Sequence, residues 1–335
     1  MGYNRKKKRG RRMENFDVTI IGAGPVGLYA GFYAGMRGLK VKLIDSMSEV
    51  GGQPINLYPE KNIYDIPGFP AIKSSEFIGQ LYQQLEHIEH TLCLNESVTE
   101  IEKIAEDFII KTDKDTHYSN AILLTTGAGQ ITPRKLGLEG EEEYENQGKL
   151  AYFIKQIDEY KNKKVAVLGG GDSAVDWALL LNQVADEVSM IHRRDSFRAH
   201  EIEVKKLNQS TINQYLSYTI HSLNDRGLMI EDKLTKEQLE IQVDKILVNY
   251  GLLTNPLDIV KDLETNRRGR VTVNGQMQSN LVGIYAAGDA NDYEGKTGLI
   301  ALGFGEVILA IQDMIKKMDF GHELRKGHST SLFEE

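Results

Sequence analysis

Cysteine is almost absent from this chain of 335 residues: Cys93 is the only one. No intrachain disulfide and no dithiol relay can be built from a single thiol, and such usage suits a reducing, cytoplasmic setting. Within Thr91-Leu92-Cys93-Leu94, at an expected strand start, Cys93 reads as a small buried hydrophobe. Long apolar runs are also missing. Ile300 to Ile311, the longest helix-like apolar segment, contains Gly303, Gly305 and Glu306, which excludes a membrane span, and no signal-peptide core follows the basic start. Positive charge is in deficit, with a net of −8. Seven cations (Arg5, Lys6, Lys7, Lys8, Arg9, Arg11, Arg12) lie in residues 1–12, expected as a disordered basic tail before Met13. Without those seven the net becomes −15, which argues against nucleic-acid binding by the folded body.

Glycine is abundant, at 32 residues, and its placement organises the chain. Asp17 to Ile21 is a β-branched, apolar run leading into Gly22-Ala23-Gly24-Pro25-Val26-Gly27, after which a helical apolar pattern begins. This is the G-x-G-x-x-G loop in its strand–turn–helix context. Gly22 serves the tight turn, Gly24 lets the backbone approach a pyrophosphate, and Gly27 allows close helix–strand packing. The helix start, with Pro25, offers N–H groups and a positive dipole end to phosphates. Asp45 ends the next strand, 23 positions after Gly22, where a carboxylate can accept a ribose hydroxyl.

Gly51-Gly52-Gln53-Pro54 reads as a loop, and a Pro/Gly-rich excursion continues to Pro70. Ser74 to Glu89 has helical spacing, and three short alternating strands to Thr125 form a meander-like interval. Thr125 to Gly129 marks a first crossover. A second nucleotide signal, Gly169-Gly170-Gly171-Asp172-Ser173-Ala174, follows the strand Lys164 to Leu168 and lies 147 residues after Gly22. Two such units make a coarse internal repeat. Trp177 is expected to pack the second unit's helix on its sheet. The next strand of that unit ends in His192-Arg193-Arg194-x-x-x-Arg198. Guanidinium groups there suit a 2′-phosphate, as on NADP(H), whereas an acid suits a free hydroxyl. His200 reads as a surface histidine. Gly283 to Asp289 is an apolar strand closing in a glycine–aspartate turn, and a helix from Leu299 to Met314 follows. An acid in that turn can hold the ribityl and pyrophosphate region of FAD. No metal site is expected.

As a set these motifs resemble the two-dinucleotide flavoproteins that include thioredoxin reductases, over essentially Met13 to Glu335. The resemblance implies an α/β fold of two Rossmann-like, three-layer dinucleotide-binding domains. The NADPH domain (127–255) is inserted in a discontinuous FAD domain (13–126 and 256–335), with a second crossover within Asn249 to Pro256. Thioredoxin reductases carry a Cys-x-x-Cys pair just before the second nucleotide strand, and Leu150 to Lys155 has no cysteine. That departure, and the tail Gly327 to Glu335, resemble the thioredoxin-reductase-like ferredoxin/flavodoxin–NADP⁺ reductases. In those enzymes Tyr58 corresponds to an aromatic covering one flavin face and His328 to the group covering the other. Gln53, Val98, Ile131, Asp289 and Thr330 correspond to further FAD contacts. The expected chemistry is hydride transfer from NADPH to flavin N5, then single electrons to ferredoxin or flavodoxin, with no general base. A homodimer is implied, with no nucleic-acid or membrane partner. Two alternatives stay open: an NADPH–flavin reductase with another acceptor (a quinone, free flavin or haem-protein partner), and a redox sensor that does not turn over.

Overall fold

Asn15–Ile21 is the central strand of the first unit, and its residues from Phe16 on are buried on both faces. That is the signature of a parallel sheet covered on two sides. In the computed structural model, residues 14–255, 258–325 and 329–331 are described. The chain divides into two units, one of residues 1–55, 62–130 and 255–335, the other of residues 56–61 and 131–254.

In the first unit Asn15–Ile21 lies between Val41–Ile44 and Thr116–Leu124, all parallel, with Val18 opposite both Val41 and Ala121. His90–Cys93 extends the sheet beyond Val41–Ile44, and Ile284–Ala286 adds a further parallel strand beside Ile122 to Leu124. The antiparallel meander of Val98–Ile104, Asp107–Thr112 and Thr116–Leu124 occupies the rest of that edge. Helix Pro25–Met36 packs closely: a Cβ on Gly31 would meet Leu85 at 2.8 Å, and one on Gly35 would meet Ile88 at 1.8 Å. Ile300–Lys317 is the longest helix among the described residues. Among the described residues no helix is long and apolar enough to cross a membrane.

The second unit has five parallel strands in the order Leu150–Ala151, Lys245–Val248, Lys164–Leu168, Glu187–His192, Asn213–Leu216. One face carries helix Asp172–Leu181, whose Trp177 is 3% exposed in a core with Val165, Val167 and Leu247. The other face carries an antiparallel three-stranded sheet through Leu228, Ile230 and Ile241. Gln130–Pro133 and Leu252–Asn255, near the expected crossovers, pair with each other.

Some local expectations are revised. Gln53–Leu57 is a short helix and not loop, and the helix begun at Ser74 stops at Glu86. Cys93 is half-buried and stands beside charged groups rather than in an apolar core. The expected basic tail of residues 1–12, Pro256 and His328 lie outside the described residues.

Candidate functional site: two dinucleotide cradles

The first cradle is built by steric exclusion. Gly22 has φ +106°, and a Cβ on it would lie 2.5 Å from the Thr125 carbonyl oxygen. A Cβ on Gly27 would lie 1.9 Å from the Gly22 carbonyl oxygen, so only glycine allows this helix to start so close to its strand. Gly24 differs: its nearest obstacle would be the Gly52 Cα at 3.9 Å. The backbone at Gly24 is therefore open to a bulky group. Pro25 occupies the first helical position and no side chain caps this end, leaving its N–H groups and dipole for an anion.

The surrounding loops fix this turn. Asp45 accepts the Ala23 N–H at 2.6 Å and the Met47 N–H at 2.8 Å, one on each carboxylate oxygen. Each oxygen keeps a second lone pair for a ribose hydroxyl. Gly51 donates its N–H to Ala23 O at 2.8 Å. Thr125 Oγ1 donates to the Gly22 carbonyl at 2.7 Å. Gln53 starts the short helix and approaches Gly127. Val98 is half-buried at the start of its strand.

Asp289 lies in the turn Gly288–Ala290, held by groups that the motifs do not announce. Glu306 is 1% exposed and accepts the Gly288 N–H at 2.7 Å, Asn291 Nδ2 at 3.1 Å and the Tyr293 hydroxyl at 2.8 Å. Lys296, also buried, forms an ion pair with it. A carboxylate with four donors is a well-satisfied buried charge. The one signal in the sequence was an acid inside the apolar stretch Ile300 to Ile311. Of the other expected FAD contacts, Tyr58 and Ile131 belong to the second unit, Thr330 is exposed, and His328 falls outside the described residues.

The second cradle repeats the design with different walls. A Cβ on Gly169 would lie 2.5 Å from the Asn249 carbonyl oxygen and 3.0 Å from Ala174 Cβ, whereas Gly171 has nothing within 4 Å. Helix Asp172–Leu181 starts at Gly171 without a side-chain cap, and Ser173 is exposed in its first turn. Asp172 accepts the His200 N–H at 2.9 Å; His200 itself is at the surface. His192 is 6% exposed. Its ring lies where a Cβ on Gly170 would be 2.4 Å away, and it stacks on Phe197 at a centroid distance of 5.8 Å. Burial first, and then Arg198, Arg194 and Arg193, hold its pKa below the ordinary histidine value. Its Nε2 is buried without a partner among the described residues, as expected where a bound group completes a site. Arg193, Arg194 and Arg198 are exposed, and none of them forms an ion pair among the described residues. These features fit a phosphorylated dinucleotide.

One further cluster lies at the first sheet's edge. Lys42 Nζ donates to His117 Nδ1 at 2.8 Å, and His117 Nε2 then donates to Glu96 at 2.6 Å. Cys93, Glu96 and His117 have ligand atoms within 4.8 Å of one another. Lys42 already supplies the positive charge that a metal would bring, and both imidazole nitrogens are engaged. Burial and Glu96 push the Cys93 thiol pKa up, so it is a poor nucleophile.

A family model described as pyridine nucleotide-disulphide oxidoreductase matches residues 16–313. The chain is 51% identical over 321 residues to a ferredoxin–NADP reductase of Lactococcus lactis subsp. cremoris (strain SK11), covering 96% of this chain and 100% of that one. It is 45% identical over 331 residues to a ferredoxin–NADP reductase of Halalkalibacterium halodurans, covering 96% and 99%. Among solved structures, the Lactococcus lactis thioredoxin reductase in its FR conformation matches with a TM-score of 0.72 at 29% identity, covering 90% of this chain and 98% of that one. The chain thus belongs to the pyridine nucleotide-disulphide oxidoreductase family, in the thioredoxin-reductase-like group that contains the ferredoxin–NADP reductases it matches, and it lacks the Cys-x-x-Cys pair.

Proposed function

We propose that the chain is an FAD-dependent ferredoxin–NADP reductase passing electrons between NADPH and ferredoxin, or flavodoxin in its place. The observation carrying this reading is the full-length identity of 51% to a ferredoxin–NADP reductase. The single thiol and the free arginines of the second cradle support it, the first by removing a dithiol route and the second by favouring a 2′-phosphate.

The chemistry supplied by bound FAD is the conversion of one hydride donor into two single-electron deliveries, with one proton released per NADPH. The protein binds, orients and excludes water. Gly22, Gly24, Pro25 and Gly27 receive the FAD pyrophosphate, Asp45 its ribose, and Asp289 the ribityl side. Gln53, Val98, Ile131 and Thr330 line the cofactor, while Tyr58 and His328 cover the flavin ring. Gly169, Gly171, Asp172, Ser173 and Ala174 receive the NADP(H) pyrophosphate. Arg193, Arg194 and Arg198 take its 2′-phosphate beside a neutral His192. No side chain is assigned as a general base. The working form is a homodimer in the cytoplasm.

The test is turnover of the purified flavoprotein with NADPH or NADH, using cytochrome c as final acceptor with and without ferredoxin. The reading expects NADPH preference and dependence on ferredoxin. Equal turnover without ferredoxin would support another acceptor.

A further inference from the structure

A net charge of −8 means that most of this surface repels an acidic protein. Among the described residues of the first unit one short arginine cluster is an exception. Arg267, Arg268 and Arg270 fall within four positions. Arg267 and Arg268 are exposed and Arg270 is half-buried. None of the three forms an ion pair among the described residues, although Glu264 stands on the same hairpin. Elsewhere many surface cations are already matched: Lys111 binds Glu100 and Glu102, Lys135 binds Glu145, and Lys317 binds Asp313.

The turn presenting these arginines is rigidly built. Asn266 donates its N–H to Arg270 O at 2.8 Å, and Gly269, at φ +75°, donates to Asn266 O at 2.9 Å. Asn266 Oδ1 accepts the N–H groups of Arg268 at 2.8 Å and Arg270 at 3.1 Å. Asn266 Nδ2 donates to Asp292 at 2.9 Å, and Val271–Thr272 pairs in parallel with Asn291–Asp292. The arginine turn is therefore fastened directly to the segment that continues from Asp289, the residue assigned to the flavin's ribityl side.

We propose that Arg267, Arg268 and Arg270 form the docking surface for the acidic iron–sulfur partner, ferredoxin, on the FAD unit. The proposal rests on the functional reading above and supplies what that reading needs, a local cationic site on an acidic body. Guanidinium forks match carboxylates in paired geometry, and exposed charges act mainly by steering encounter. The hydrogen bond from Asn266 to Asp292 ties the docking turn to the segment that follows Asp289.

The test uses the holoenzyme with R267E/R268E, both exposed positions, leaving half-buried Arg270 in place. The KM for ferredoxin at low salt is expected to rise about tenfold or more. NADPH turnover with ferricyanide, which needs no protein docking, stays unchanged. The difference from wild type narrows near 1 M salt, where screening acts within about 3 Å. An unchanged KM and salt dependence, with wild type still ferredoxin-dependent, would overturn the docking surface and spare the functional reading. An equal loss with ferricyanide would also overturn it. Wild type without ferredoxin-dependent turnover would overturn both.

Discussion

Glu306 accepts the Gly288 N–H at 2.7 Å, joining the middle of the longest helix to the turn that carries Asp289. Glu306→Gln keeps the shape but leaves Lys296 buried without its counter-charge. Removing one partner of a buried pair costs about 3–5 kcal/mol. The variant is expected to purify with less FAD and a lower thermal midpoint, and E306Q/K296M to recover part of both. Flavin absorbance against protein content, with calorimetry, checks this.

Gly27 and Gly171 separate two roles of glycine. Gly27→Ala puts a carbon 1.9 Å from a backbone oxygen, so the first cradle is expected not to close and FAD is not retained. Gly171→Ala meets nothing within 4 Å. It is expected to fold with full FAD content, while its KM for NADPH rises as the new methyl blocks the pyrophosphate. Flavin spectra and NADPH titrations of the two variants distinguish these outcomes.

Arg193, Arg194 and Arg198 have no carboxylate partner among the described residues, so their charge is available to a 2′-phosphate. A hydrogen bond to a charged group is worth about 1.5–3 kcal/mol. Arg193→Ala and Arg194→Ala are each expected to lower kcat/KM for NADPH by roughly ten- to a hundredfold, with kcat/KM for NADH nearly unchanged. Steady-state kinetics with both nucleotides measures the preference.

His322 Nε2 lies 2.7 Å from the Asp17 carboxylate, a hydrogen bond that raises its pKa above the ordinary histidine value. The folded state thus binds the proton more tightly than the unfolded one. This contact contributes fully below the ordinary value and is lost as pH rises through the raised one. Hydrogen exchange at Glu323 to Arg325 is expected to quicken over that window, and Asp17→Asn is expected to remove the pH dependence. Arg325 is also tied by its N–H to Arg37 O at 3.0 Å, which limits the effect to local opening.

Cys93→Ser is expected to leave NADPH-dependent turnover with ferredoxin unchanged, because no thiol carries electrons. A loss of more than about tenfold, equivalent to 1.4 kcal/mol, would place the cysteine in the electron path.

Both glycine loops were legible in the sequence because local backbone geometry dictates them. Gly22, Gly27 and Gly169 sit where a side chain would strike a neighbouring carbonyl, and such positions declare themselves as glycines between a strand and a helix. The Glu306 network was not legible. Its donors at Gly288, Asn291, Tyr293 and Lys296 meet the carboxylate only once the helix folds back on the turn. The charged setting of Cys93 is hidden from the sequence for a related reason. Alternation along a strand reports which face a residue takes, and says nothing of Lys42 on the neighbouring strand or His117 two strands further on. The arginine turn was hidden behind an acidic net charge, since composition averages over the surface, and its link to Asp292 exists only in three dimensions.

The most direct test of the central claim is anaerobic mixing of the purified, FAD-loaded protein with NADPH, followed by addition of oxidised ferredoxin. The account predicts that the yellow absorbance bleaches with NADPH far faster than with NADH, and that ferredoxin restores it while two ferredoxins are reduced per NADPH. A flavin that stays yellow with NADPH would contradict the account.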